Sequence, residues 1–408
     1  MSMFTSKSNG PNSRRYVLIL AAIALTFTVA MQQICMTVLF KEISEELGLS
    51  LVDIGVIWGI PALAGLLIVF FGGLLSDRYG ARRVIGIACI LGGIAGALRG
   101  LAWDFPSLVL FTFVMGLAIW VIPASVFKTN AAWFSGRPLV IANGAASTGM
   151  GLGFTVGSMI SATVLSPLLG GWQNVLFLYG GISFVIGLLW LFTVREFAGA
   201  AGSVSGVPLR QSIGHVLPIK SLWFIGLTLL GFSGCVLGVI GYVPTYLRDM
   251  GWTVASADGT VAAFSAISTL GAIPLAMLSD RIGLRKALLF PILVVTTTCA
   301  ALLSVADGAM IWVLMILMGV SRDGFMAICL TMSTETKGIG VVYAATAMGM
   351  AQTVMNVGSL ISPPLGNSLA SPDNMGLPFF LWAAFGLLAL VAFSFVRETG
   401  WRRGEPDR

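Results

Sequence analysis

Between residues 16 and 396 the chain alternates long apolar runs with short polar segments. Twelve runs stand out, at 16–40, 54–75, 84–103, 107–127, 141–165, 174–194, 222–246, 259–279, 287–305, 310–331, 341–363 and 377–396. A helix rises ~1.5 Å per residue, so about 20 apolar residues cross a hydrocarbon core about 30 Å thick. The pattern predicts twelve helical spans and an all-α polytopic membrane protein.

The polar segments carry an internal repeat. LSDRYGARR at 75–83 returns as LSDRIGLRK at 278–286, with six of nine positions identical. ELGLS, ending at Ser50, and DMGWT, ending at Thr253, keep the same separation, and each opens the span before the motif. TVGSMIS at 155–161 comes back as NVGSLIS at 356–362. The chain therefore reads as a duplicated set of six spans, and an even number makes both copies run the same way across the membrane. The expected organisation is an N-terminal segment 1–15, a six-helix bundle 16–196, a linker 197–220, a second bundle 221–396 and a tail 397–408. The linker is rich in Gly, Ala and Ser and holds two prolines, so it reads as flexible. It also holds His215, the single histidine, which reads as a solvated residue.

Composition agrees with the pattern: 57% of residues are hydrophobic and 10% are charged. A soluble domain carries about 25% charged residues. Lys and Arg concentrate on the side of the termini, and the opposite side holds only Lys41 and Arg248 among several acids. By the positive-inside rule both termini are expected in the cytoplasm of a prokaryotic cell, with the spans in its inner membrane. The net charge of +6 is then a topology signal and not a nucleic-acid footprint. The five cysteines lie one to a span and read as small buried hydrophobes. No metal cluster, nucleophile–base pair or phosphate loop suggests an enzyme, and no cofactor is expected.

The repeated loop supplies the next clue. Asp77, Arg78, Gly80, Arg82 and Arg83 recur as Asp280, Arg281, Gly283, Arg285 and Lys286. The glycines suit tight turns, and the basic residues suit an anionic lipid surface. GGLLSDRYGARR resembles the G-x-x-x-D-R-x-G-R-R loop of the major facilitator superfamily, between spans two and three and again between eight and nine. The resemblance implies a two-bundle transporter that works by alternating access. It also implies that these ten residues form a cytoplasmic gate that latches the halves together. SRDGFMAI, ETKGIG and ISPPLGNSLA are loosely similar to the nitrate/nitrite-porter and cyanate-permease-like branch. Nitrate porters place arginines in spans two and eight, and this chain has none in 54–75 or 259–279. Span five fits the family's antiporter motif at Gly144, Gly153 and Gly157 but departs from it at Ser158, Ser161 and Ala162. Glycines at four-residue spacing in spans three (Gly92, Gly96, Gly100) and five suit close helix contacts, sliding or static.

Three ionisable residues fall inside spans: Arg99, Arg322 and Asp323. Arg99 is near enough to a span end to snorkel to the interface. Arg322 lies ~16 Å into the core when counted from Ile311, where an arginine costs at least ~2.5–3.5 kcal/mol. It should therefore face a cavity. Neighbouring residues on a helix point about 100° apart, so Arg322 and Asp323 are expected to need separate partners. The family lines its cavity with spans one, four, seven and ten and their neighbours, which places both residues there by resemblance. Gln352 and Asn356, with Gln32 and Gln33, are the candidate neutral ligands, and Tyr242 and Trp120 candidate aromatic walls. A guanidinium suits a carboxylate or oxyanion. The expectation is therefore a secondary transporter of a small anion, with Asp323 coupling protons to it. Export of amphipathic compounds is the alternative, and a non-transporting sensor a weaker one.

Overall fold

The computed structural model describes residues 11–134, 137–194, 209–371 and 374–400. Span one runs as Pro11–Ile23, a π-helical stretch Ala24–Met31, and Gln32–Leu47. Spans two to four are Leu51–Tyr79, Ala81–Leu98 with a closing turn Arg99–Leu101, and Phe105–Trp133. Span five is Arg137–Ile160, a π-helical Ser161–Leu165 and a final turn Ser166–Leu169; span six is Trp172–Thr193. Spans seven to twelve are Lys220–Asp249, Val254–Ile282, Arg285–Leu302, Gly308–Glu335, Gly340–Asn367 and Leu377–Ser394. Among the described residues, eleven of these are apolar enough to cross a membrane. The other is span eleven, which polar residues such as Gln352 and Asn356 dilute.

Caps decide where several spans begin. Ser50 and Asp53 form a reciprocal capping box at the start of span two, and Asp104 and Ser107 do the same for span four. Hydrogen bonds from the Ser107 side chain and backbone hold the Asp104 carboxyl below its ordinary range. Thr253 caps span eight by accepting from the Ser256 N–H. That cap starts the helix earlier than the apolar run does and draws Asp258 inside it. Gly80 and Gly283 adopt φ values of 85° and 68°, which explains both loop glycines.

Lipid tails are as apolar as side chains, so helices join through close packing and not through the hydrophobic effect. Span three meets span six where a Cβ on Gly93 would stand 2.6 Å from the Gly180 oxygen. The span-five glycines pack on span one: a Cβ on Gly149 would meet the Ala22 oxygen at 2.8 Å, and the Thr26 hydroxyl donates to the Gly149 carbonyl. That stripe is therefore packing within the first half. In the predicted linker, Leu209–Val216 forms a helix, while 195–208 lie outside the described residues. His215 is stacked on Tyr343 of span eleven at 4.1 Å and its ring Nε2 lies 2.8 Å from the Gly338 carbonyl, so it is engaged and not merely solvated.

Contacts between the halves gather on the face opposite the termini. Gly55 and Gly59 of span two lie against the backbone of Pro364 and Leu360 of span eleven, where a Cβ would stand 2.6 and 2.7 Å away. The Trp58 indole donates to the Leu237 carbonyl at 2.9 Å, and Asn367 Nδ2 donates to the Leu51 carbonyl at 2.8 Å. Lys41 pairs with Asp249 at 2.7 Å across the same seam. The structure is thus closed on that face. Gly59→Leu is expected to prop the seam open. A cysteine placed at Leu237 would then react several-fold faster with an impermeant maleimide, and an unchanged rate would contradict the contact.

Candidate functional site

The two mid-span charges of span ten neutralise each other, contrary to the helical-wheel expectation. Arg322 Nη1 lies 3.1 Å from Asp323 Oδ1. An arginine stem is long enough to wrap round the helix surface and reach the neighbouring carboxylate. Both side chains keep access to open space, at 27% and 36% exposure, so the pair is not sealed in a core. The guanidinium lies 5.6 Å from the ring centre of Phe154 on span five, a cation–π contact with the other half. The Asp323 backbone N–H also donates to the Ser268 hydroxyl of span eight at 3.3 Å.

A second cluster forms where spans two, four and eleven meet. Gly65 makes room for the Asn356 amide and the Trp120 ring, which a Cβ would approach to 2.8 and 2.9 Å. Asn356 is buried, and neither its Nδ2 nor its Oδ1 has a hydrogen-bond partner. A buried amide left unsatisfied at both ends is costly in apolar surroundings, which marks the position as one a polar ligand or water would complete. Trp120 commits its indole N–H to the Pro61 carbonyl at 2.7 Å. Gln352, one turn before Asn356, is half-buried, as is Gln33.

Two expected ligands point elsewhere. Gln32 is fully buried and donates to Ser183 Oγ at 2.5 Å, which fixes it against span six. Tyr242 donates its hydroxyl to the Met375 carbonyl at 3.0 Å and packs among Phe379, Trp382 and Tyr246. Both hold helices together inside one half. Their polar atoms were legible in sequence, but the direction they face depends on helix rotation, which packing sets.

Arg99 also departs from expectation: it is 1% exposed and does not snorkel. It donates to the carbonyls of Gln32 at 3.0 Å and Gly96 at 3.3 Å, with the Cys35 thiol beside it. The last carbonyls of the span-three helix carry its negative dipole end, which suits a cation without a carboxylate. A further buried pair was missed because both residues sit at predicted span edges. Arg248 and Asp258 lie 2.5 Å apart at 6% and 0% side-chain exposure, and Asp258 accepts from Thr163 of span five at 3.2 Å. This pair ties spans seven and eight to the opposite half.

The loop residues divide unequally. In the first copy Arg82 donates to the Leu191 carbonyl, Arg78 lies 5.5 Å from the Tyr79 ring, and Arg83 is exposed; the side chain of Asp77 lies outside the described residues. In the second copy Arg285 bridges Asp280 at 3.8 Å and Glu335 at 2.6 Å, while Lys286 donates to the carbonyls of Ser394 and Val396. Arg281 lies beside Asp280 in the last turn of span eight and is exposed. These bonds stay within their own half, so the loops do not bridge the halves through them in this closed-face state. Glu398, unnoticed in the sequence, caps span nine by accepting the N–H groups of Arg285 and Lys286 at 2.8 and 2.9 Å.

Known proteins give the arrangement a context. The sequence model of the Major Facilitator Superfamily matches residues 22–345 and 260–408. A 3-(3-hydroxy-phenyl)propionate transporter of Escherichia coli is 23% identical over 377 residues, covering 89% of each chain. A probable nitrate/nitrite antiporter of Thermus thermophilus is 28% identical over 285 residues, 67% of this chain and 63% of that one. A bacterial homologue of the human lysosomal transporter Spinster, in an inward-facing and occupied conformation, superposes with a TM-score of 0.80. It covers 95% of this chain and 97% of its own at 15% identity, a likeness of fold.

Two substitutions test the buried charges. Arg99→Ala should lower stability by about 2–4 kcal/mol, because it opens a cavity and strips the Gln32 carbonyl of its donor. Thermal unfolding in detergent measures this, and a near-zero effect would restore the snorkelling view. Asp258→Ala should cost about 3–5 kcal/mol by leaving Arg248 buried and unpaired, and the added change Arg248→Met should recover part of the loss.

Proposed function

We propose a transport function from the premise that the matches establish: the chain belongs to the Major Facilitator Superfamily. It is a multi-pass membrane transporter of the bacterial inner membrane, and its reading as a carrier of small anions is supported by relatives named for a phenylpropionate and for nitrate/nitrite. The observation that carries this reading is the Arg322 guanidinium, which stays part-exposed in mid-span against Phe154 of the other half.

The chemistry follows from that geometry. Asp323 holds the guanidinium, so the cation is not left bare. An incoming carboxylate or oxyanion competes for the same N–H donors, which offer two parallel hydrogen bonds. Displaced from its partner, Asp323 takes a proton or turns to water, and this exchange is the proposed coupling step. Asn356 presents an unpartnered amide beside the Trp120 ring in the second cluster, and Gln352 and Gln33 are proposed to join them in holding the organic part of the substrate. Gln32 and Tyr242 are left out of the site, and the repeated loops act as the gate on the cytoplasmic face. The halves rock about the site, exposing it to one side and then the other. No step calls for a cofactor or for catalysis of bond change.

Uptake by proteoliposomes over a panel of carboxylates, oxyanions and lipophilic cations tests the reading. An anion is expected to be transported, and Arg322→Ala should lower its kcat/KM by about a hundredfold or more, from loss of a charge-assisted pair of hydrogen bonds. Transport of lipophilic cations alone, unaffected by Arg322→Ala, would favour export of amphipathic compounds. In Asp323→Asn, exchange of anion across the membrane should persist while uptake driven by a pH gradient is lost. Gradient-driven uptake at the original rate would remove Asp323 from the coupling step.

A further inference from the structure

On the face that carries the termini, the start of span seven, the end of span ten and the segment after span twelve line an open cavity of about 440 Å³. Its charged lining is wholly cationic: Lys220, Lys337 and Arg397. All three are exposed, and like charges gathered round one cleft repel each other and favour an anion between them. The acids beside them in sequence are committed elsewhere. Glu335 receives Arg285 at 2.6 Å, and Glu398 accepts the backbone N–H groups of Arg285, Lys286, Thr399 and Gly400. Among the described residues, none of the three cations has an ion-pair partner.

Neutral groups lie beside the same space. Thr399 lines the cavity, and its Oγ1 is buried without a hydrogen-bond partner. Lys220 and Ser221, also in the lining, are the first two residues of span seven, whose N-terminus has no side-chain cap. The Leu222 N–H donates to the Ile219 carbonyl at 3.0 Å, and those of Lys220 and Ser221 before it add a positive dipole end to the three cations. A tetrahedral oxyanion, with several acceptor oxygens at fixed angles, can take hydrogen bonds from the three cations and from the start of span seven together. Along one wall Phe224 and Phe395 stack at 5.4 Å, and Phe395 is 62% exposed. An aromatic pair beside the cations suits a phosphate that carries an apolar body.

We infer that this cavity is a binding site for a phosphate anion, supplied by the headgroup of an anionic phospholipid or by free phosphate. It is separate from Arg322 and does not rest on the transport reading. An occupant would join the start of span seven to the end of span ten and to the tail, three segments that have to stay in register while the second half moves as a body.

Native mass spectrometry and titration in nanodiscs test this with phosphatidylglycerol, phosphatidylcholine and inorganic phosphate as probes. Phosphatidylglycerol should bind more tightly than phosphatidylcholine, and Lys220→Gln, Lys337→Gln and Arg397→Gln together should weaken it by roughly a hundredfold. Because losing three basic residues disturbs topology as well, Thr399→Glu is the second variant. It keeps every Lys and Arg, places an acid among them, and should weaken binding likewise. Saturable binding of inorganic phosphate that both variants abolish would also support the site and make free phosphate its source. Equal affinity for the two lipids together with no phosphate binding, or full binding in both variants, would overturn the inference.

Discussion

The close approach of span two to span eleven is the contact on which this state of the molecule depends. Gly55 and Gly59 bring one helix backbone against Pro364 and Leu360 of the other, with no side chain between them. In a membrane, where burying apolar surface against protein gains little over burying it in lipid, such approach is the main source of helix adhesion. The seam recruits polar bonds that would be weak in water and count for more here: Trp58 to Leu237, Asn367 to Leu51, and Asp258 to Thr163. Each runs between halves, so each must break when the face opens. A carrier needs a seam that is stable yet reversible, and a few directional bonds over small residues meet that need better than a large interlocked core.

From the closed rim inward the charges follow one rule at three depths: each is compensated locally, by the means that depth allows. At the rim, Lys41 and Asp249 form an ordinary part-exposed pair. Farther in, Arg248 and Asp258 are sealed, and Arg99 relies on carbonyls at a helix end. In mid-span, Arg322 and Asp323 are paired but remain accessible. Among the described charges inside the spans, only this last pair combines an ion-pair partner with access, which a site that exchanges its partner for a substrate requires.

Much of the fold was legible beforehand. Runs of about 20 apolar residues leave the backbone no alternative to helix in lipid, because unsatisfied amides are too costly there. Twelve spans and their order follow from that constraint, and the duplicated loop from the repeat of LSDRYGARR as LSDRIGLRK. The site was less legible. Arg322 announced itself as a charge in an apolar run, but its pairing with Asp323 depends on a side-chain path that residue spacing does not encode. Gln32 and Tyr242 looked like ligands because they are polar and in the right spans, yet each is spent on bonding helices within one half. Asn356 looked no different from them, and what sets it apart is an amide without a partner at either end.

By itself the sequence determined the helices, their number, the twofold repeat and the placement of charge along them, since these depend on hydropathy and local caps. The tertiary structure alone decided helix rotation, the closed face and which polar groups remain unspent. Those properties arise from contacts between residues far apart in the chain, where one missing Cβ sets how near two helices come. Glu398 shows the division at small scale. Its position in a polar tail carries no local signal, yet its carboxylate caps a helix more than a hundred residues earlier, because packing puts the two ends side by side.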